Sequence, residues 1–234
     1  MKRLSEIRRD ARTALRGHWG IAVVTVLVFF LIELALTAPG TLGSLSEALP
    51  LMGIYNFITD TDWPWFLGLT SLPISVFVFM PLGFGLLVTM LELVRGHQDD
   101  TLRNLFHYGF GWKYWRSLGC MLLVTIYSVL WTLLLIIPGI IKSYAYSMSY
   151  YIVRDCPNLK VDDCIYLSRK MMKGYKFKLF LLDLSFIGWG LLCILTAGIG
   201  FFWLMPYFYA SRACFYEERK SVLQADPRFA ALYA

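Results

Sequence analysis

The chain alternates between long apolar runs and short polar gaps, which is the pattern of a polytopic membrane protein. A helix needs about 20 apolar residues to cross a bilayer, and several runs approach that length. Proline and glycine, as in Pro39-Gly40 and Ala197-Gly198-Ile199-Gly200, mark the ends of runs. The pattern predicts six transmembrane helices at about 19–38, 66–93, 118–137, 140–153, 177–196 and 201–216. The whole chain, residues 1–234, is thus predicted to form a single integral membrane domain.

Lysine and arginine fall almost entirely in alternate gaps between these predicted spans. The N-terminal segment, residues 94–117, residues 154–178 and the C-terminal segment hold six, four, seven and four of the 22 basic residues. The remaining gaps hold only Lys142. Because basic residues accumulate on the cytoplasmic side of membrane proteins, both termini are predicted to be cytoplasmic.

The predicted topology depends on whether the chain turns at Pro138-Gly139 or continues through it as one helix. A single helix over residues 118–153 would be about 54 Å long, well beyond a hydrocarbon core of about 30 Å. It would also place the basic segment 154–178 on the outer side. We therefore predict a hairpin with its turn at Pro138-Gly139, formed by two short helices that need not cross the membrane fully. A kinked single helix is the alternative.

A basic amphipathic segment precedes each odd-numbered span. In the first, Leu4, Ile7, Ala11 and Leu15 recur at helical spacing. Acidic pairs open the other two segments, as expected at helix N-termini, and these two segments align at an offset of 63 residues. A second match is that Glu92 follows Met80-Pro81 at the same spacing as Glu217 follows Met205-Pro206. The fold class is therefore predicted as an all-α membrane protein of three hairpins, each preceded by a cytosolic amphipathic helix. Chance similarity of such segments is the alternative to a true repeat.

Composition supports the membrane assignment and narrows the partners. Hydrophobic residues make up 58% of the chain and charged residues 16%, whereas soluble domains are nearer 25% charged. The net charge of +6 lies beside apolar spans, which indicates anionic lipid headgroups as partners rather than nucleic acid. A protein partner or a homo-oligomer is also possible. None of the five cysteines lies in a predicted outer loop, so no disulfide is expected.

Ionisable residues inside the predicted spans are the main candidates for a functional role, because an unpaired charge there is expensive. Asp183 in the fifth span and Arg212 in the sixth fall at similar depth in an antiparallel hairpin, and we predict that they form an ion pair. Glu33 and Lys142 are both placed near the outer surface. They either pair across the bundle or reach the interface separately.

The fourth span is unusually polar for a membrane helix. Its candidate lining residues are Ser143, Tyr144, Ser147 and Tyr150. They could face a water-filled path or a headgroup site. The alternative, which we favour, is hydrogen bonding between helices of a packed bundle.

Motifs of catalysis are not found in the sequence. The three histidines are scattered, and the chain has neither a nucleophile elbow nor a phosphate-binding loop. No catalytic residue, cofactor or metal ligand is therefore assigned. Asp99-Asp100 and Asp162-Asp163 could bind a divalent ion, but helix N-termini explain such pairs better.

The chain resembles a known family over nearly its whole length, most specifically in about its last hundred residues. The similar segments are Tyr151-Ile152-Val153-Arg154-Asp155-Cys156-Pro157, Ser168-Arg169-Lys170-Met171-Met172-Lys173-Gly174 and Leu179-Phe180-Leu181-Leu182-Asp183-Leu184-Ser185-Phe186-Ile187-Gly188-Trp189. They resemble the bacterial integral-membrane family catalogued as domain of unknown function 975. Cys156 departs from that pattern, in which Asn is usual. The resemblance implies a multi-pass protein of the bacterial cytoplasmic membrane and brings no activity with it.

Taken together, these features predict a non-enzymatic membrane module that interacts with lipid or a protein partner. A transporter or channel-like protein for a small solute or lipid is the alternative. It would fit the possible repeat and the polar fourth span.

Overall fold

The computed structural model describes residues 2–48, 75–97, 100–111 and 113–224, with the backbone alone at 36–48, 75, 222 and 223. Throughout these ranges the regular elements are helices, with no strand, which confirms the all-helical prediction. The predicted start of the second span, residues 66–74, lies outside the described residues. So do Asp99 and the C-terminal residues from 225 onward.

Helix α1 (Leu4–Leu15) confirms the first predicted amphipathic segment. It buries Ile7, Ala11 and Leu15, which share one face because they lie four residues apart. The chain then bends by 93° into the next helix, through Gly17 in a left-handed backbone conformation.

Helix α2 (Trp19–Ala48) is longer than predicted. Its expected end at Pro39-Gly40 is wrong, because the helix continues past both residues. Proline already has a helical φ, and a helix that continues through it loses one backbone hydrogen bond. Apolar helices can tolerate that loss.

Helix α3 (Met80–Val94) is the central helix, preceded by a π-helical turn at Ser75–Phe79. It is buried over most of its length and contacts α1, α2 and the later helices. Its end at Val94 agrees with the predicted end of the second span to within one residue. The short helix α4 (Thr101–Phe106) and the π-helical turn His107–Gly111 pack against it.

Helices α5 (Tyr114–Leu134) and α6 (Ile136–Tyr146) form the predicted hairpin. The chain reverses at Leu135, whose backbone is extended, and not at Pro138-Gly139 as predicted. Pro138 lies in the first turn of α6, where a helix tolerates a missing N–H. The backbone of Gly139 lies against Thr132, and a Cβ at that position would be 2.8 Å from the Thr132 nitrogen.

The predicted fourth span does not form one helix. It breaks at Ser147-Met148 into α6 and the seven-residue helix α7 (Ser149–Asp155). The C-terminal part of this arm lies along the beginning of α5, where Arg116 donates to the Cys156 carbonyl at 2.8 Å. The hairpin therefore has one continuous arm and one broken arm.

The remaining helices are α8 (Val161–Met171), α9 (Lys176–Leu195) and α10 (Phe201–Gln224). Asp162 and Asp163 lie in the first turn of α8, where acidic residues complement the helix dipole. Asp100, by contrast, has a left-handed backbone and makes no capping bond to α4. The turn predicted between the last two spans is present, with Ala197 and Gly198 at positive φ.

Three helices are long and apolar enough to cross a membrane: Val76–Val94, Tyr114–Leu134 and Lys176–Leu195. A fourth candidate arises if the bent pair of α1 and Trp19–Ala35 counts as one span. Six spans are therefore not confirmed. The predicted fourth span is divided into short pieces, and α10 carries Arg212 and then Glu217 to Lys220 within one helix.

Candidate functional site

A partly buried group of charges joins the ends of three helices, and we call it the charged junction. Arg95, directly after α3, lies at its centre and donates to Asp155 of α7 at 2.8 Å and to Glu217 of α10 at 2.7 Å. Lys220 and Tyr216 of α10 bind the same Asp155 oxygen, at 2.6 and 2.7 Å. The tyrosine is fixed by stacking against Tyr151, with ring centroids 4.9 Å apart.

Asp155 is the most enclosed charged residue of the charged junction, with 4% of its side chain exposed. Burial by itself would raise its pKa. The hydrogen bond and charge of Arg95 oppose that effect, and Lys220 and Tyr216 add to the opposition, so that the net pKa is lowered. Asp155 is therefore ionised at neutral pH, and its negative charge balances cations from α3 and α10.

Glu92 extends the charged junction along α3. Arg154 lies 3.0 Å from one of its oxygens and His97 lies 3.1 Å from the other. Arg154 also donates to the Tyr108 hydroxyl at 3.1 Å and lies over that ring. Carboxylates and cations thus alternate across α3, α7 and α10, an arrangement suited to bracing helices against one another.

The sequence analysis did not identify the charged junction. Arg95 and Lys220 entered it only as positive charges, and Arg154 and Asp155 were otherwise named only as part of a family resemblance. One feature of the sequence could have pointed to the charged junction. Glu92 and Glu217, the two acidic residues aligned by the possible repeat, both contact Arg95, at 3.6 and 2.6 Å.

The structure brings Asp183 and Arg212 together, as proposed from the sequence. Arg212 donates through Nε to one carboxylate oxygen at 3.1 Å and through Nη2 to the other at 2.5 Å. Its guanidinium also lies over Phe208, and the Tyr144 hydroxyl binds the Asp183 carboxylate. This two-point contact links α9 to α10, with α6 alongside.

Asp183→Asn and Arg212→Gln are each expected to destabilise the protein, because each leaves a partly buried partner without its counter-charge. The double variant should lose less than the sum, with a coupling energy of about 1–3 kcal/mol. Unfolding in mixed micelles of the wild type and the three variants gives that coupling. Additive losses would show that the contact contributes nothing to stability.

Glu33 and Lys142 are not brought together. Lys142 lies 4.3 Å from the ring centroid of Trp131 on α5, and the basic segment around α8 is its neighbour. Glu33 lies on α2 and interacts electrostatically with Tyr209 of α10. Of the two alternatives, these separate surroundings favour independent placement of the two side chains. The placement of Lys142 assumed that α6 begins at an outer surface, whereas α8 packs directly on α6.

The polar residues of the predicted fourth span have separate roles. Ser143 and Ser147 donate to carbonyls of their own helix, at 2.8 and 2.9 Å, instead of bonding between helices. The ring of Tyr144 packs against Phe180 of α9. Tyr150 is partly buried and packs against the larger of the two clusters of buried hydrophobic side chains. Besides the contact of Tyr144 with Asp183, a bond between helices comes from Ser168 of α8, which donates to the Ala145 carbonyl at 2.8 Å.

A second arrangement, the basic cavity, lies between α6 and the segment from α8 to the start of α9. Its volume is about 230 Å³. Five cationic side chains line it, and no carboxylate is among its described lining residues. The cations are Lys142, Arg169, Lys170, Lys173 and Lys176. Arg169 and Lys176 repel the Lys142 ammonium group electrostatically. Such a cavity can bind an anion of more than one negative charge.

Groups that could hold a metal were sought across the described ranges. Those ranges contain no cluster of three or more His, Cys, Asp or Glu side chains. The five cysteines are free thiols, and burial raises the pKa of Cys156 to about 11. Asp100 is exposed and lies near Arg103, at 3.7 Å.

The fold and these contacts define a class of protein: a helical bundle with long apolar helices that are linked by partly buried ion pairs. The chain belongs to the family described as "Protein of unknown function (DUF975)", whose model matches residues 1–142 and 132–222. This confirms the resemblance seen in the sequence. No curated protein matches the chain, and no solved structure matches it.

Proposed function

We propose that this protein is a non-enzymatic module of the bacterial cytoplasmic membrane that binds anionic lipid headgroups at its cytoplasmic face. The observation that carries the proposal is the basic cavity, which gathers five cations beside helices with exposed apolar surfaces. In this proposal both termini lie in the cytoplasm, on the side where lysine and arginine accumulate.

Exposed apolar side chains support insertion into a membrane. Leu133 at the end of α5 is 84% exposed, and Leu195 at the end of α9 is 82% exposed. Much of the outer surface of both helices is similarly apolar. Contiguous apolar surface of this extent is unfavourable in water, whereas lipid chains cover it at no such cost.

The composition of the basic cavity favours lipid phosphate as the ligand. The cavity adjoins the apolar surfaces of α6 and α9, so a headgroup bound there would keep its chains in the hydrocarbon region. Lys142 is repelled by Arg169 and Lys176, and an anion would relieve that repulsion. Lys170, held over the Tyr166 ring with its Nζ 4.6 Å from the ring centroid, gives one wall a fixed cation.

Lys142→Gln with Lys173→Gln is expected to weaken binding of phosphatidylglycerol about tenfold, because two charge-assisted contacts to the phosphate are lost. Native mass spectrometry of the protein titrated with phosphatidylglycerol or phosphatidylcholine measures this. The wild type should retain the anionic lipid in preference to the neutral one.

Lys160→Gln with Arg103→Gln is the matched control, since both side chains are exposed and the same two positive charges are removed. This variant should bind phosphatidylglycerol like the wild type. Equal weakening in both double variants would mean that only net charge matters, and the proposal of a headgroup site in the basic cavity would then fail.

A further inference from the structure

A second cavity, of about 500 Å³, lies between α1, the start of α2 and the α9–α10 hairpin. We call it the tryptophan groove. Its walls include Trp19 of α2, Trp189 of α9, and Trp203 and Tyr207 of α10. Arg8 and Arg12 of α1 also line it. The sequence analysis did not identify this groove, because its residues come from two helix pairs, α1–α2 and α9–α10, at opposite ends of the chain.

The walls formed by α9 and α10 are apolar and open. Trp189 and Trp203 are 56% and 54% exposed, although a buried environment would favour such large rings. Within the groove, the rings of Trp19 and Tyr207 pack against each other, with centroids 6.3 Å apart. An apolar, elongated occupant would cover these rings.

Two arginines of α1 make the remaining side of the groove positively charged. Arg8 and Arg12 are four residues apart and therefore share one face of α1. Both act electrostatically on Tyr207, which places them near the groove wall. Among the residues that the structure describes, no carboxylate forms a salt bridge with either arginine.

We propose that the tryptophan groove binds one anionic phospholipid, with an acyl chain along the tryptophans and the phosphate on Arg8 and Arg12. Guanidinium groups bind phosphate through paired hydrogen bonds, and two of them one turn apart suit one headgroup. A free phosphate would leave the apolar walls uncovered, and an apolar peptide would leave both arginines without a counter-charge. An anionic lipid satisfies both parts of the groove.

The 93° bend after α1 is consistent with this placement. If α2 crosses the membrane, α1 lies along its surface, at the depth of lipid phosphates. The inference rests on the proposed function only for the insertion of the chain into a membrane, because the basic cavity is a separate site on α6 and α8.

The test uses phosphatidylglycerol with a photoreactive diazirine in its acyl chain, added to the purified full-length protein in phosphatidylcholine nanodiscs. Peptides that contain Trp189 and Trp203 should be labelled, and unlabelled phosphatidylglycerol should compete whereas phosphatidylcholine should not. Arg8→Gln with Arg12→Gln should reduce labelling of these peptides about tenfold.

Arg9→Gln with Arg16→Gln is the matched control, because it removes the same charge from exposed positions of the same segment. It should be labelled like the wild type. Equal labelling of the two double variants, equal competition by the neutral lipid, or a cross-linked second copy that phosphatidylglycerol does not displace would overturn the inference. Release of the protein from membranes by carbonate would instead refute membrane insertion, and the proposed function with it.

Discussion

Asp155→Ala is expected to lower the free energy of unfolding by about 3 kcal/mol, because it leaves Arg95 and Lys220 without their shared counter-charge. Removing one partner of a buried ion pair typically costs about 3–5 kcal/mol. Arg95 and Lys220 each keep 19% of their side chains exposed, so the lower end of that range applies. Unfolding in mixed micelles, followed by tryptophan fluorescence, measures the loss.

Asp163→Asn is the control for this prediction, since Asp163 is an exposed carboxylate at the start of α8. Its effect should stay within about 0.5 kcal/mol. Asp155→Asn keeps the shape of the side chain and should still destabilise the protein strongly. A loss below about 1 kcal/mol for Asp155→Ala would show that the charged junction does not brace the helices.

The dependence of stability on pH gives a second readout of Asp155. Its pKa is lowered in the folded protein, so its contribution is complete above the pKa of an unfolded aspartate, about 4. That contribution is lost as the pH falls through the lower, folded pKa. The wild type should therefore lose stability below about pH 4, and Asp155→Asn should lack this component of the loss. Parallel curves for the two proteins would contradict the assignment.

Gly85→Ala is expected to destabilise the protein by about 3 kcal/mol. A Cβ at this position would overlap the carbonyl oxygen of Leu105 and would lie 3.0 Å from the Gly109 nitrogen. Both obstacles are backbone atoms of the segment packed on α3, so no side chain can rotate away. Overpacking of this kind costs about 1–3 kcal/mol, and the rigid neighbours place Gly85 at the upper end. Thermal unfolding in micelles measures the change.

Gly188→Ala on α9 is the matched control, because a Cβ there would meet no described atom within 4 Å. It should stabilise the protein by about 0.5–1 kcal/mol, since alanine favours a helix over glycine by that amount. Opposite signs for the two substitutions would support close packing of α3 on the Leu105–Gly109 segment. A stabilising Gly85→Ala would show that this segment is not held against α3.

The sequence predicted some helices well for identifiable reasons. The last hairpin agrees closely, because lysines precede its apolar run and Ala197-Gly198 supplies a turn that needs positive φ. The reversal after α5 was predicted three residues too late. Proline was read there as a turn residue, although it also fits the first turn of a helix. The break at Ser147-Met148 has no glycine or proline to mark it.

The contacts of the candidate site also divide into those that the sequence could predict and those that it could not. Asp183 and Arg212 could be paired from sequence because a tight hairpin fixes the relative depth of its two helices. The charged junction could not, since Arg95, Asp155 and Glu217 meet only after three separate helices pack. Glu33 and Lys142 were matched by an assumed depth alone, and the packing of α8 on α6 changes that depth.

The position of Lys142 also bears on how the α5–α6 hairpin enters a membrane. Lys142 was the single basic residue assigned to the outer side, and its cavity is shared with Arg169 and Lys176 of a segment assigned to the cytoplasm. Between Arg116 and Lys142 the chain has no charged residue. In the proposed orientation, the hairpin would therefore insert from the cytoplasm without carrying any charge across the hydrocarbon core. Its insertion is expected to proceed without assistance from the transmembrane potential, which acts only on charges that move through it.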